Sequence, residues 1–358
     1  MSEKQTAAGK NGISKRMEEF KALSTKDKWT FTGNWLLDHA MIIIIVLLTV
    51  YIQIQRPAFL KTASIINILS LTAARLPMAL GIAGAIILTG TDLSAGRVVG
   101  LTGFVAAILL QKTGVTGKFL AAIGPQPLVL VILLVMAIGA VIGLLNGFCV
   151  AKFKLHPFIV TLSTQLMTYG LYLTLSGAKQ ISSLDPSYTT SFVTQPLFKI
   201  GTTSVMSYVL FAVIVTAIMW FVWNKTTFGK NMFAVGSNEE AAKVSGVNVT
   251  MVIIGVFMLA GATYGYTGFV EAARLGASTG TLGLNYELDA IAACVIGGVS
   301  FVGGIGKISG VILGVFLMQL IISGMTFLGI SGNTTYIIKG AVILIACAID
   351  MRKYLTKK

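Results

Sequence analysis

Thirteen acidic residues, two histidines and three cysteines are what this 358-residue chain offers for acid–base, nucleophilic or metal chemistry. His39 stands at the mouth of an apolar run, and His156 precedes Pro157 in a short basic loop. No HExxH, CxxC or mixed His/Cys/Asp cluster gives metal-ligand spacing, so no metal site is expected. An intramembrane serine protease needs a histidine facing a serine inside a bundle, and neither histidine lies in the middle of a run. There is no GxxxxGK[ST] phosphate loop, so this chain is not expected to bind ATP in that manner. Cys149, Cys294 and Cys347 are widely separated inside apolar runs and read as small buried hydrophobes. Asp92, Glu271, Glu287, Asp289 and Asp350 fall near the ends of runs. That placement weighs against ion coupling through mid-membrane carboxylates.

The elements that hold these residues are apolar. Composition is 55% hydrophobic and 11% charged, against about 25% charged in soluble domains. A membrane span needs roughly 20 apolar residues. Ten stretches qualify: 39–55, 64–89, 94–112, 128–150, 158–176, 204–224, 251–272, 286–304, 308–328 and 334–351. The fold class expected is an all-α polytopic membrane protein. A polar tail, 1–38, precedes the membrane domain, 39–351, and a short tail, 352–358, follows it. Three stretches carry features of broken or re-entrant segments: the second has Pro77 and Arg75, the third Arg97, the eighth a glycine-rich end. Such backbone is tolerated where it lines a cavity.

The net charge of +14 has a distribution that explains it. With ten passes and a cytoplasmic N-terminus, the tail (Lys4, Lys10, Lys15, Arg16, Lys21, Lys26, Lys28), Lys152, Lys154, Lys225, Lys230, Lys243, Lys307 and the C-terminal cluster all fall inside. A smaller set falls outside: Arg56, Lys61, Lys112, Lys118, Lys179, Lys199 and Arg274. This is the positive-inside pattern, with both termini cytoplasmic. No basic patch interleaved with aromatics points to nucleic acid. Glycines recur at helical spacing, as in Gly139/Gly143/Gly147, Gly261/Gly265/Gly268 and Gly306/Gly310/Gly314, the small-residue stripes that let helices approach closely in lipid.

One loop, 225–250, points out of the membrane with structure of its own. Ser237-x-x-Glu240 reads as a capping box, so a helix of two to three turns is expected to start at Ser237. Glu239 and Glu240 suit its positive end, Ala241, Ala242 and Lys243 are good helix formers, and Gly246 is placed to end it. A helix that short is marginal alone. Its small side chains fit a groove on a partner protein better than a lipid surface, which is the alternative.

The residues then point to a family. Phe228-Gly229-Lys230, Gly236 to Ala242 and Ser245-Gly246-Val247-Asn248 resemble the coupling loop of ribose- and galactose-type ABC importer permeases. Tyr286 to Ser300 (YELDAIAACVIGGVS) resembles the same family's strongest motif. The runs Gly90 to Arg97 (GTDLSAGR) and Tyr336 to Gly340 with Asp350 to Leu355 resemble its galactoside branch. The resemblance covers roughly residues 40–358, and the long N-terminal tail departs from it.

That resemblance implies a type II-like importer fold in a bacterial inner membrane, with two copies of the permease. It implies a partner ATPase, often one chain with tandem nucleotide-binding domains, which binds ATP and Mg. A periplasmic sugar-binding protein is implied outside. Ser237, Asn238, Glu239, Glu240, Ala241, Ala242, Ser245 and Gly246 then form the coupling element. Candidates for the translocation path are Asn67, Asn146, Gln165, Tyr169, Tyr264 and Tyr266, with Thr161 and Ser163 beside them; interhelical packing is the competing role for each. Asp92, Ser94, Gly96 and Arg97 are structural or gating candidates, with Asp92 and Arg97 either an ion pair or a cap on a broken helix. Glu287 and Asp289 are expected near an outer entrance, and Glu271 and Arg274 as a helical pair. A stand-alone sugar carrier or channel, a ribose- or xylose-type ABC permease, and a scaffold that moves nothing remain the alternatives.

Overall fold

The computed structural model describes residues 40–355; the tail 1–38 and the last three residues lie outside the described residues. The chain divides into two compact units, 1–48 and 49–358, and the described part of the first is the opening half of helix α1. The helices in order are α1 Ala40–Gln55, α2 Thr62–Ile87, α3 Ala95–Leu109, α4 Leu128–Phe153, α5 Pro157–Ser176, α6 Ser207–Lys225, α7 Thr227–Ser237, α8 Glu239–Val244, α9 Val249–Leu275, α10 Tyr286–Ile296, α11 Ile308–Phe327 and α12 Gly332–Leu355. Each of the ten apolar stretches overlaps one of them. By length and composition, α2, α4, α5, α6, α9 and α11 are able to cross a membrane.

The second stretch is not broken: α2 runs through Pro77 for 26 residues. The proline forgoes one backbone bond, and helices packed around it keep the chain in register, since nearly all of 72–87 is buried. The third and eighth stretches are broken. Helix α3 has 15 residues and α10 has 11. At about 1.5 Å per residue they reach roughly 22 and 16 Å, short of a hydrocarbon core about 30 Å thick. Buried irregular backbone around Asp92 precedes α3, and a loop from Gly276 to Asn285 precedes α10.

Helices α2, α9 and α11 form the centre, and α4, α5 and α6 leave rows of Leu, Val and Ile exposed. The tightest seam joins α4 to α9. A side chain at Gly139 or Gly143 meets the carbonyls of Gly261 and Phe257, and one at Gly261 or Gly265 meets those of Gly139 and Val135. The two glycine stripes legible in the sequence therefore pack on each other, backbone against backbone.

The connecting loops sort into two ends. At one, Lys154 pairs with Glu239, and the Gly304 amide donates to the Ile87 carbonyl (2.9 Å). At the other, the Lys112 amide donates to Ser183 O (2.9 Å), that of Asp185 to Leu110 O (2.8 Å), and Ile181 pairs with Ser278. For these loops the grouping agrees with that of the lysines and arginines. The second end also holds a hairpin, its first strand in the loop before the sixth stretch and its second overlapping the start of that stretch: β1 Pro196–Ile200 and β2 Thr203–Met206, antiparallel, turning at Gly201 (φ +62°). Nearby, the buried Tyr188 hydroxyl donates to the Phe269 carbonyl and pins this loop to α9; burial pushes its phenol up.

Candidate functional site: a capped loop helix and a buried polar strip

The loop 225–250 folds as two short helices. Thr226 caps α7 through its hydroxyl, which accepts from the Gly229 amide (3.1 Å). Ser237 does not start the next helix. It ends α7, and its hydroxyl donates back to Phe233 O (2.8 Å). Asn238, extended at φ −163°, is the N-cap of α8, and its Oδ1 accepts from the Ala241 amide (2.9 Å). A residue already in helical conformation cannot act as an N-cap, and asparagine caps as well as serine. The helix is therefore six residues long, under two turns, and the capping box does not form. Its far end is as expected: Gly246 at φ +83° closes a Schellman motif, with Val247 N–H on Ala242 O (3.1 Å) and Gly246 N–H on Lys243 O (3.0 Å).

The faces of α8 differ from a simple docking rod. Ala242 is buried in the bundle's own core, whereas Glu239, Glu240, Ala241, Lys243, Ser245 and Gly246 are exposed. Val244, an apolar residue, is 88% exposed. At the base of the loop, Gly236 lies against Ile87 O and Gly304, so close that any side chain there collides with them. The loop thus rests on the end of α2, where the chain leaves helix for the break before α3.

Within the bundle, polar side chains form a connected strip. Asp92 is fully buried; its Oδ1 accepts from the Ser94 amide (2.9 Å) and hydroxyl (2.6 Å), and its Oδ2 from Tyr264 OH (3.1 Å). Asn146 Nδ2 donates to Ser94 Oγ (3.0 Å), and the Thr164 hydroxyl donates to Asn146 Oδ1 (2.6 Å). Thr161 accepts from the Leu93 amide (3.1 Å), so the irregular backbone before α3 is satisfied by side chains. Next to Thr164 on α5, Gln165 Nε2 reaches Glu287 Oε1 (3.4 Å). Between α4 and α5 a cavity of about 500 Å³ is lined by Asn146, Ser163, Thr164 and Thr168 among apolar residues.

Several expectations change. Asp92 and Arg97 do not pair: Asp92 holds Ser94, the residue before α3, without capping the helix itself, and Arg97 donates to Gly280 O (3.2 Å) while stacking on the Tyr169 ring at 3.9 Å. Glu287 and Asp289 are buried rather than at a surface entrance. Glu287 lies against Gly96, where a side chain would collide with its carboxylate, so α10 and α3 meet at their N-terminal turns. Asn67 is on an exposed face of α2, and Tyr266 packs in a separate apolar cluster; neither joins the strip. Thr164 was missed because a threonine in an apolar run has no distinguishing local signal.

Two charge clusters join residues far apart in the chain. Fully buried Glu271 takes Arg274 Nη2 (2.8 Å), as the spacing predicted, and also Arg75 Nε from α2 (3.3 Å). Arg75 lies 3.2 Å over the Tyr286 ring, whose hydroxyl reaches Glu271 Oε2 (3.4 Å). Lys339 of α12 pairs with Asp289 (2.8 Å). The signal available was an arginine and a lysine stranded within apolar runs, each of which demands a carboxylate. Among the described residues no cluster of His, Cys, Asp and Glu has metal-site geometry.

A family model described as the permease component of branched-chain amino acid transport systems matches residues 64–347. The chain belongs to this permease family. It is 45% identical over 343 residues to the galactose/methyl galactoside import permease protein MglC of Salmonella typhimurium, covering 94% of this chain and all of that one. The Escherichia coli K12 protein of the same name matches equally, at 45% over 343 residues, 94% of this chain and 100% of that one. The ribose import permease protein RbsC of E. coli K12 is 33% identical over 324 residues, 90% of this chain and 96% of the relative. No solved structure matches. The permease is a multi-pass membrane protein and a transporter subunit rather than a catalytic enzyme.

Proposed function

We propose that this permease is the membrane subunit of an ATP-driven sugar importer, carrying galactose or methyl galactoside across a bacterial inner membrane. The single observation that carries it is the similarity to galactoside import permeases along nearly the whole chain, higher than to the ribose relatives. In this reading the chain passes ten times with both termini in the cytoplasm, two copies form the channel, and a separate ATPase, often with tandem nucleotide-binding domains, supplies ATP and Mg chemistry. A periplasmic binding protein delivers the sugar.

The geometry supports a route for the coupling. Closure of the ATPase pushes on the exposed face of α8. Helix α7 passes the displacement to Gly236, which bears on Ile87 and Gly304. Five residues beyond Ile87 the chain reaches Asp92, the anchor of the polar strip. ATP binding shifts the bundle between its openings only in so far as the ATPase grips α8 differently in its two states. A neutral sugar needs no counter-charge, in keeping with a strip built of hydroxyls, amides and few carboxylates.

Co-purification tests the partnership. A tagged permease expressed with its neighbouring genes is expected to bring down a nucleotide-binding chain in stoichiometric amount. A permease that purifies alone, and transports galactose alone, supports the stand-alone carrier instead.

A further inference from the structure

Glu287 is a buried carboxylate left half-satisfied. It is 3% exposed, yet Oε2 has no hydrogen-bond partner and Oε1 receives only the 3.4 Å contact from Gln165. Unpaired buried acceptors are costly, and native structures hold few of them. Its position explains how a carboxylate is tolerated: it belongs to the first turn of α10 and lies on the first turn of α3 at Gly96, two helix ends that favour negative charge. Its position does not supply donors for its free lone pairs.

Polar groups lie between it and the surface. Gln165, Arg97 and Tyr169 are partly exposed beside it. Around them Leu162, Leu166, Leu284 and Leu288 are exposed and apolar. Arg97 is held by Gly280 O and the Tyr169 ring, and among the described residues it forms no ion pair. The buried acceptor is thus flanked by two partly exposed polar groups, the Gln165 amide and the Arg97 guanidinium, beneath an apolar face. An anion is disfavoured by Glu287 and a cation by Arg97. A neutral group that donates and accepts at adjacent atoms, a vicinal diol, suits both.

We propose that Glu287, Gln165 and Arg97 form a hydroxyl-binding station at which the sugar halts inside the permease. This rests on the sugar-importer reading and deepens it. The test uses the whole transporter in proteoliposomes, with the ATPase, the loaded binding protein and galactose as the probe. Galactose delivered per ATP hydrolysed is compared among the unmutated chain, Gln165→Leu, Glu287→Ala and Glu287→Gln. The ratio is expected to fall about tenfold or more in the first two variants, and to recover in Glu287→Gln, which keeps an acceptor oxygen. An unchanged ratio overturns the station. So does a parallel fall in transport and hydrolysis, because a merely structural residue lowers both together. If Glu287→Ala does not assemble, Gln165→Leu, at a partly exposed position, decides alone. An unmutated complex that does not respond to the loaded binding protein overturns the importer reading and the station with it.

Discussion

Replacing Val244 with arginine is expected to abolish the ATP hydrolysis that loaded binding protein stimulates, while the permease stays folded. Val244 is 88% exposed at the end of α8, and the bundle provides it no cover. An apolar side chain standing clear of its own protein is the natural contact for a groove on the ATPase. A guanidinium forced into such a groove unpaired costs several kcal/mol, of the order of a hundredfold or more in affinity. The same change at Ala242 is expected to act differently. Ala242 packs into the bundle's core, so Ala242→Arg lowers the permease's own stability before any partner is involved. Size-exclusion profiles and ATPase assays of the two variants separate these effects. Val244→Arg with full stimulation contradicts the docking face assigned to α8.

Replacing Glu271 with glutamine is expected to destabilise the bundle by about 3–5 kcal/mol, the usual cost of removing one partner from a buried ion pair. Glu271 is wholly buried and answers two arginines, Arg75 from α2 and Arg274 from its own helix. Without the carboxylate, two guanidiniums share a site of low polarity, and Arg75 keeps only the Tyr286 ring beneath it. The glutamine is isosteric, so the loss reports charge rather than shape. Thermal unfolding of the detergent-solubilised permease measures it. An unchanged unfolding temperature contradicts the claim that this cluster ties α2, α9 and α10 together. Substituting Arg274, whose partner lies only three residues away, is expected to cost less because Arg75 still neutralises the carboxylate.

The glycine seam between α4 and α9 was legible because its signal is local: three glycines at four-residue spacing or near it define a stripe before any partner is known. The loop helix was legible for the same reason, except that its cap moved from Ser237 to Asn238 once α7 ran up to the joint. Which side of α8 faces the bundle was not legible, because one extended residue, Asn238, sets the rotation of a six-residue helix. The ion pairs were hidden by distance. Arg75 and Glu271 are 196 positions apart and Asp289 and Lys339 are 50 apart, so periodicity within a run carries no trace of them. Asp92 and Arg97 misled in the opposite direction. Their closeness in sequence suggested a pair, but the helix break turns Asp92 toward Ser94 and Tyr264 and leaves Arg97 to Gly280.

Galactose uptake by sealed proteoliposomes, with the permease alone or joined to the ATPase and a loaded binding protein outside, tests the central claim most directly. The account predicts accumulation against a gradient only in the joined complex with ATP on the ATPase side, and none from the permease alone. Gradient-driven uptake by the permease alone, indifferent to ATP, contradicts it.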